Sequence, residues 1–165
     1  MAKLDAIDLK ILLHLQQNAR ITNLELSKEI GLSPAPTLER VRKLEKLQII
    51  EGYHARLNAG KLNLGVSFMV QVSLKNQNED DLSHFRKHIK SINEIVDCYQ
   101  VTGNADFILK IVARDIPAFE KLILKEISSL SEVKNIQSTL ILSEVKKSNI
   151  LPLAYSEKNS NVNEY

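Results

Sequence analysis

The stretch Thr22–Leu47, TNLELSKEIGLSPAPTLERVRKLEKL, limits what this chain can fold into more than any other. It reads as two helices joined by a tight turn. Thr22 is placed to cap the first helix, and Glu25, three residues on, can return the bond as the second half of a capping box. Leu24, Leu26 and Ile30 supply apolar positions, and Gly31 is placed to end the helix in a left-handed conformation. Ser33 can cap the next helix. Pro34 and Pro36 fall in its first turn, where N–H groups lack intrahelical partners anyway, although Pro36 disfavours a helical Ala35. Leu38, Val41, Leu44, Glu45 and Leu47 recur at helical spacing and predict the core stripe. Roughly opposite lie Ala35, Pro36, Glu39, Arg40, Lys43 and Lys46.

Two helices with this turn have the form of a helix-turn-helix, whose second helix can enter the major groove of DNA. Arg40, Arg42 and Lys43 can reach phosphates or guanine edges, and Glu39 can orient Arg40 or accept from cytosine. The candidate DNA-contact set is Ser33, Ala35, Pro36, Thr37, Glu39, Arg40, Arg42 and Lys43. From these residues alone, an αα-hairpin with a solvated basic face has the same pattern.

Charge supports the DNA reading locally. The 165-residue chain carries a net +2, and residues 1–60 hold nine Lys/Arg against seven Asp/Glu, so the whole excess falls in the first third. So small an excess favours two or more linked copies on DNA. No apolar run approaches the ~18 residues of a membrane span. The start, MAKLDAIDLK, has early acids and no apolar core of a secretory signal. The single cysteine, Cys98, allows no internal disulfide and suits the cytoplasm. The absence of Trp argues against stacking on single strands.

Taken in order, Asp5–Gln17 predicts a first helix with Asp5 as N-cap, Ile7, Ile11, Leu12 and Leu15 inward, and Asn18 as a left-handed stop. Ile49–Leu57 predicts a strand or strand pair bending at Gly52, a wing for the helix-turn-helix. After a polar stretch the periodicity changes to two. Val66–Leu74 predicts a strand, residues 80–91 a helix, Ile95–Val101 and Phe107–Ala113 a strand hairpin, Asp115 the cap of a further helix, and Val133–Val145 a long last strand. The fold class is α+β: a winged helix-turn-helix over 1–57, a linker over 58–64, a βαββαβ ferredoxin-like domain over 65–150, and a tail over 151–165, polar and disordered in its last ten residues. Both helices of such a domain cover one sheet face, so the other is expected to pair with a second copy.

The chain resembles the Lrp/AsnC family of transcription regulators from Leu4 to about Ser148. The resemblance is carried by LDAIDLKIL, ARIT, ELSKEIGLSPAPTLERVRKLE, IIEGYHARLN, VTGNADFILK and SEVKKSN, in this order. It implies a sequence-specific, cytoplasmic DNA-binding regulator of double-stranded operators. Its second domain would be ACT-like, would sense an amino acid such as leucine, and would form homodimers that assemble into tetramers, octamers or larger rings. No cofactor, metal or membrane is implied. The resemblance places the effector at the loop joining the second and third strands, with Thr102, Gly103, Asn104 and Asp106, and with Ser138 of the last strand lining the same cleft. Gly103 lets backbone approach a ligand, loop N–H groups can accept a carboxylate, and Asp106 can hold an α-ammonium. Asn104-Ala105 departs from the acid and aromatic that many members carry there.

The sequence holds no nucleophile elbow, phosphate-binding glycine loop or metal-ligand cluster, so the expectation is a protein that is not an enzyme. His84 and His88 lie at metal-binding spacing on a helix but have no obvious third ligand, and a solvated face is expected. Cys98 is expected to be a small core residue. The rival reading is an enzyme similar to tetrapyrrole decarboxylases, which share the two-domain plan, with His54 and Arg56 as its candidate residues.

Overall fold

The computed structural model describes residues 4–153. They divide into two compact units: a helical unit from the described parts of Met1–Arg56 and Lys146–Tyr165, and a sheet unit, Leu57–Val145.

The helical unit contains α1 (Ala6–Gln17), α2 (Asn23–Ile30) and α3 (Pro34–Lys46). Its starts follow the capping chemistry. Asp5 and Asp8 form a reciprocal capping box on α1, and Thr22 and Glu25 form another on α2. Gly31 takes φ 77°, left-handed as predicted, and closes α2. Asn18 does not: it is extended at φ −142°, and its side chain accepts from the Arg20 N–H instead. The hydrogen bond to a backbone group two residues on competes with the left-handed stop and wins here. Ser33 precedes α3 but makes no side-chain cap. Ile11, Leu12, Leu26, Ile30 and Leu44 form the buried core, each contributing roughly 1.5–3 kcal/mol of hydrophobic burial.

The predicted wing strands are absent. Among the described residues, 51–58 are irregular and nearly all exposed, because no second strand lies alongside to receive their backbone groups. Tyr53 nevertheless ties this stretch to α3 by donating its hydroxyl to Glu45 at 3.0 Å. The described end of the chain also belongs to this unit. The Lys147 carbonyl accepts from Arg56 at 3.3 Å, the Leu151 N–H donates to Gln16 Oε1 at 2.6 Å, and Leu153 packs on the core. The polar last ten residues lie outside the described range.

The sheet unit opens with a 3-10 turn, Ala59–Leu62. It continues as β1 (Val66–Leu74), α4 (Glu79–Ile89), β2 (Ile95–Gln100), β3 (Phe107–Ala113), α5 (Ile116–Leu122), a π-turn (Ile123–Ile127) and β4 (Val133–Leu140). The order is βαββαβ, and the antiparallel sheet runs β2-β3-β1-β4. Phe68, Val70, Val72 and Leu74 of β1 and Phe107, Leu109, Ile111 and Ala113 of β3 face the helices. Ring contacts pin both helices down: Phe119 of α5 stacks on Phe68 with centroids 3.5 Å apart, and Phe85 of α4 meets Phe107 at 4.6 Å. β4 ends at Leu140, opposite Phe68 and short of the predicted Val145, with one more bond from the Ile141 N–H to the Ser67 carbonyl at 2.9 Å beyond it. Leu142 and Val145 beyond it are exposed. Cys98 lies on the outer strand β2 and is exposed, not a core residue: an edge strand has a neighbour on one side alone.

Candidate functional site

The outward face of α3 differs in phase from the predicted one. Thr37 and Leu44 are buried and Val41 half-buried, so the inward stripe runs through 37, 41 and 44. Leu38, placed in the core by periodicity, is 37% exposed. The face turned to solvent carries Ala35, Leu38, Glu39, Arg42, Lys43 and Lys46, with Ser33 exposed and Pro36 half-buried at its start.

Two predicted contact residues are committed to the fold. Thr37 is fully buried, and its hydroxyl donates to the Ser33 carbonyl at 2.9 Å, so it is removed from the DNA face. Arg40 reaches back to α1: Nη1 lies 2.7 Å from Asp5 Oδ2 and 2.7 Å from Asp8 Oδ1, and the Asp8 side chain is 4% exposed. The Asp5 carboxyl is held below its ordinary value by the Asp8 backbone N–H first and by Arg40 second. The same two carboxylates raise the Arg40 guanidinium, Asp5 foremost. Arg40 thus latches α3 onto the start of α1. Glu39, Arg42, Lys43 and Lys46 make no side-chain hydrogen bond or ion pair among the described residues. Arg42, predicted to reach phosphates or guanine edges, is exposed.

The β2–β3 loop builds the second candidate site. Gly103 takes φ 115°, where a side chain would be strained. A cavity of about 510 Å³ lies against the loop, lined by Gln77, Leu82, Gln100, Val101, Thr102, Gly103, Ala105 and Asp106. Asp106 anchors the loop: Oδ2 accepts from the Leu74 N–H and Oδ1 from Gln77 Nε2, both at 2.7 Å, and its own N–H donates to the Val72 carbonyl at 2.9 Å. A carboxylate has about four lone-pair positions, so a third partner can still approach from the cavity. Asn104 is exposed and does not line the cavity; its carbonyl accepts from Ser73 Oγ at 3.0 Å. Ser138 is not brought to this site. It sits on β4 opposite Val70, away from the Leu74–Val133 end where the loop lies. Gln77 and Gln100 escaped sequence reasoning; Gln77 lies in the polar segment between β1 and α4.

His84 is not merely solvated. Its Nδ1 lies 2.6 Å from Oε1 of Glu132, whose side chain is 4% exposed. Burial alone would raise the Glu132 carboxyl, but hydrogen bonds from His84, the backbone and Ser131 outweigh it and hold the group below its ordinary value. Among the described residues, no three His, Cys, Asp or Glu side chains gather as metal ligands, and no helix is long and apolar enough to cross a membrane. His54 and Arg56, the pair expected of the enzyme reading, are both exposed.

Comparison with known proteins places these features. Residues 4–51 match a family model for a winged helix-turn-helix DNA-binding domain, and residues 67–151 match the Lrp/AsnC ligand-binding domain. The chain is 39% identical to the leucine-responsive regulatory protein of Haemophilus influenzae over 91% of its own length and 90% of that protein. It is 38% identical to the Bkd operon transcriptional regulator of Pseudomonas aeruginosa, over 93% and 100% of the two chains. A transcriptional regulator of Neisseria meningitidis solved as a complex with L-Met superposes with a TM-score of 0.88 at 35% identity, covering 93% of this chain and 99% of that one. The decarboxylase alternative finds no support in these matches.

Proposed function

The chain belongs to the Lrp/AsnC family of transcription regulators, and on that premise we propose that an apolar amino acid, held at the β2–β3 loop, sets how tightly it grips operator DNA. It is a transcriptional regulator with a helix-turn-helix DNA-binding domain and a ligand-binding domain. In our reading Arg42, Lys43 and Lys46 meet phosphates, while Ala35 and Glu39 face base edges, with Glu39 accepting from cytosine. The effector is of the leucine or methionine type, by likeness to the relatives named above. Its carboxylate meets the backbone N–H groups of Thr102 and Gly103, its ammonium meets Asp106, and its side chain lies toward Leu82. The protein works as a homodimer or a larger assembly in the cytoplasm, where two linked heads multiply the modest affinity of one.

The observation that carries this reading is the Asp106 tie. One carboxylate joins the cavity wall to Leu74 of β1 and to Gln77 before α4, so a ligand at the loop acts on strand and helix together. The ligand then favours one arrangement of copies over another, a coupling of ~1–3 kcal/mol. The experiment is a melting series with leucine, methionine and the remaining amino acids. One present at ~100 times its dissociation constant adds ~2.7 kcal/mol of stability. The expected result is a rise with an apolar amino acid that is lost in Gly103→Val, whose unliganded melting is checked separately. If no amino acid moves either the melting point or a DNA shift assay, the effector reading is wrong.

A further inference from the structure

The exposed face of α3 is divided along its length. Its first two turns present Ala35, Leu38 and Glu39 and no cation; its last two present Arg42, Lys43 and Lys46. Arg40, which would have put a positive charge in the first half, is turned away onto Asp5 and Asp8. The cationic partners for phosphate on this face therefore lie at one end of the helix. A carboxylate at Glu39 is repelled by phosphate, so this position favours an approach over base edges. The first half is also the part of a recognition helix that reaches bases.

Leu38 is the large apolar group there. Ala35 sits three residues before it and Arg42 four residues after, so the three share one side of the helix. A lone exposed leucine is ordinary. This one stands in the reading half of the helix, beside a methyl at Ala35 and between side chains that make no side-chain hydrogen bond or ion pair of their own. In the major groove, the apolar feature that a leucine can bury itself against is the C5-methyl of thymine.

We propose that Leu38 is a specificity-determining residue that reads the C5-methyl of a thymine in each half-site. The proposal rests on the DNA-binding reading above and adds to it a base preference at one position. Glu39, one residue on, selects the neighbouring base by its exocyclic amine, so the half-site carries thymine next to the base that Glu39 reads.

The test starts from duplexes selected by the full-length protein from a random pool. Each thymine of the selected sequence is then replaced by uracil, which removes one methyl and leaves the pairing edge unchanged. Affinity is measured at fixed salt for the wild type and for Leu38→Ala, with melting checked for both. At one position per half-site, uracil is expected to weaken wild-type binding about fourfold, the worth of one buried methyl(ene) group, and to leave Leu38→Ala unaffected. Wild-type indifference to uracil at every position overturns the proposal, as does an equal loss in both proteins, since another residue then reads the methyl. If the pool yields no sequence at all, the DNA-binding reading fails together with the proposal, an outcome distinct from tolerance of uracil on a selected site.

Discussion

Each unit of this protein keeps one carboxylate almost wholly out of water, and the two are stabilised by different cations. In the helical unit, Asp8 is held by Arg40, 32 residues along the chain. In the sheet unit, Glu132 is held by His84, 48 residues away. Arg40 is charged at any pH a cell meets, whereas an imidazole carries charge only when protonated. The Arg40 side chain is 30% exposed and that of His84 is 65% exposed. The helical unit is thus latched permanently. The sheet unit is latched by a more exposed group, which holds Glu132 by a hydrogen bond of 2.6 Å. A DNA-reading head needs one rigid shape, and a sensing domain needs contacts that a ligand can bias.

The largest effect that would sharpen this contrast comes from Arg40→Ala. It leaves the Asp8 carboxylate buried without its guanidinium, at an expected loss of about 2 kcal/mol in denaturant unfolding. The affinity of the folded fraction for DNA should stay near wild type. Arg42→Ala should do the reverse, with unchanged stability, affinity lower by roughly tenfold, and a salt slope smaller by about 1. Equal behaviour of the two variants in a salt-controlled shift assay would break the assignment of Arg40 as a latch.

A smaller effect, confined to a pH window, is expected at Glu132. Its folded-state carboxyl is more acidic than the ordinary value of 4.5. The resulting stability is fully present above that value and is lost as pH falls through the folded-state titration. Glu132→Gln should therefore be less stable than wild type at pH 7, by about 1 kcal/mol, and the gap should close as pH falls from 4.5 through the folded-state titration. A gap that widens in acid would contradict the pairing. The smallest effect belongs to His84→Gln, which can keep a hydrogen bond to Glu132 without a charge. At so exposed a position the expected change is about 0.5 kcal/mol at neutral pH or less. A loss as large as that of Arg40→Ala would erase the distinction between the two latches.

Much of the architecture was legible because local chemistry agreed with the fold. The capping residues Asp5 and Thr22, the left-handed Gly31, and the alternation of Val66–Leu74 and Phe107–Ala113 need no distant partner to be read. What escaped was decided by distant partners. The phase of α3 was misread because its inward positions include Thr37 and Arg40, which look polar, while the apolar Leu38 points out. Periodicity cannot see that Asp8 waits for Arg40. At the loop site, Gly103 could be picked out from sequence, but Asp106 as an anchor to Leu74 and Gln77 could not, since those bonds exist only once β1 lies beside β3. The end of β4 at Leu140, opposite Phe68 of β1, is again a property of the pairing.

The hydrogen bonds between Gln16 and Leu151 join residues 135 apart, and Leu153 completes the apolar packing around Ile11 and Leu44. A domain that looks N-terminal is therefore discontinuous in sequence. On the ribosome α1, α2 and α3 emerge first and can collapse on one another, but the last pieces of their packing arrive after the entire sheet unit has been synthesised. The DNA-reading head reaches its finished form only in molecules that have already made their sensor.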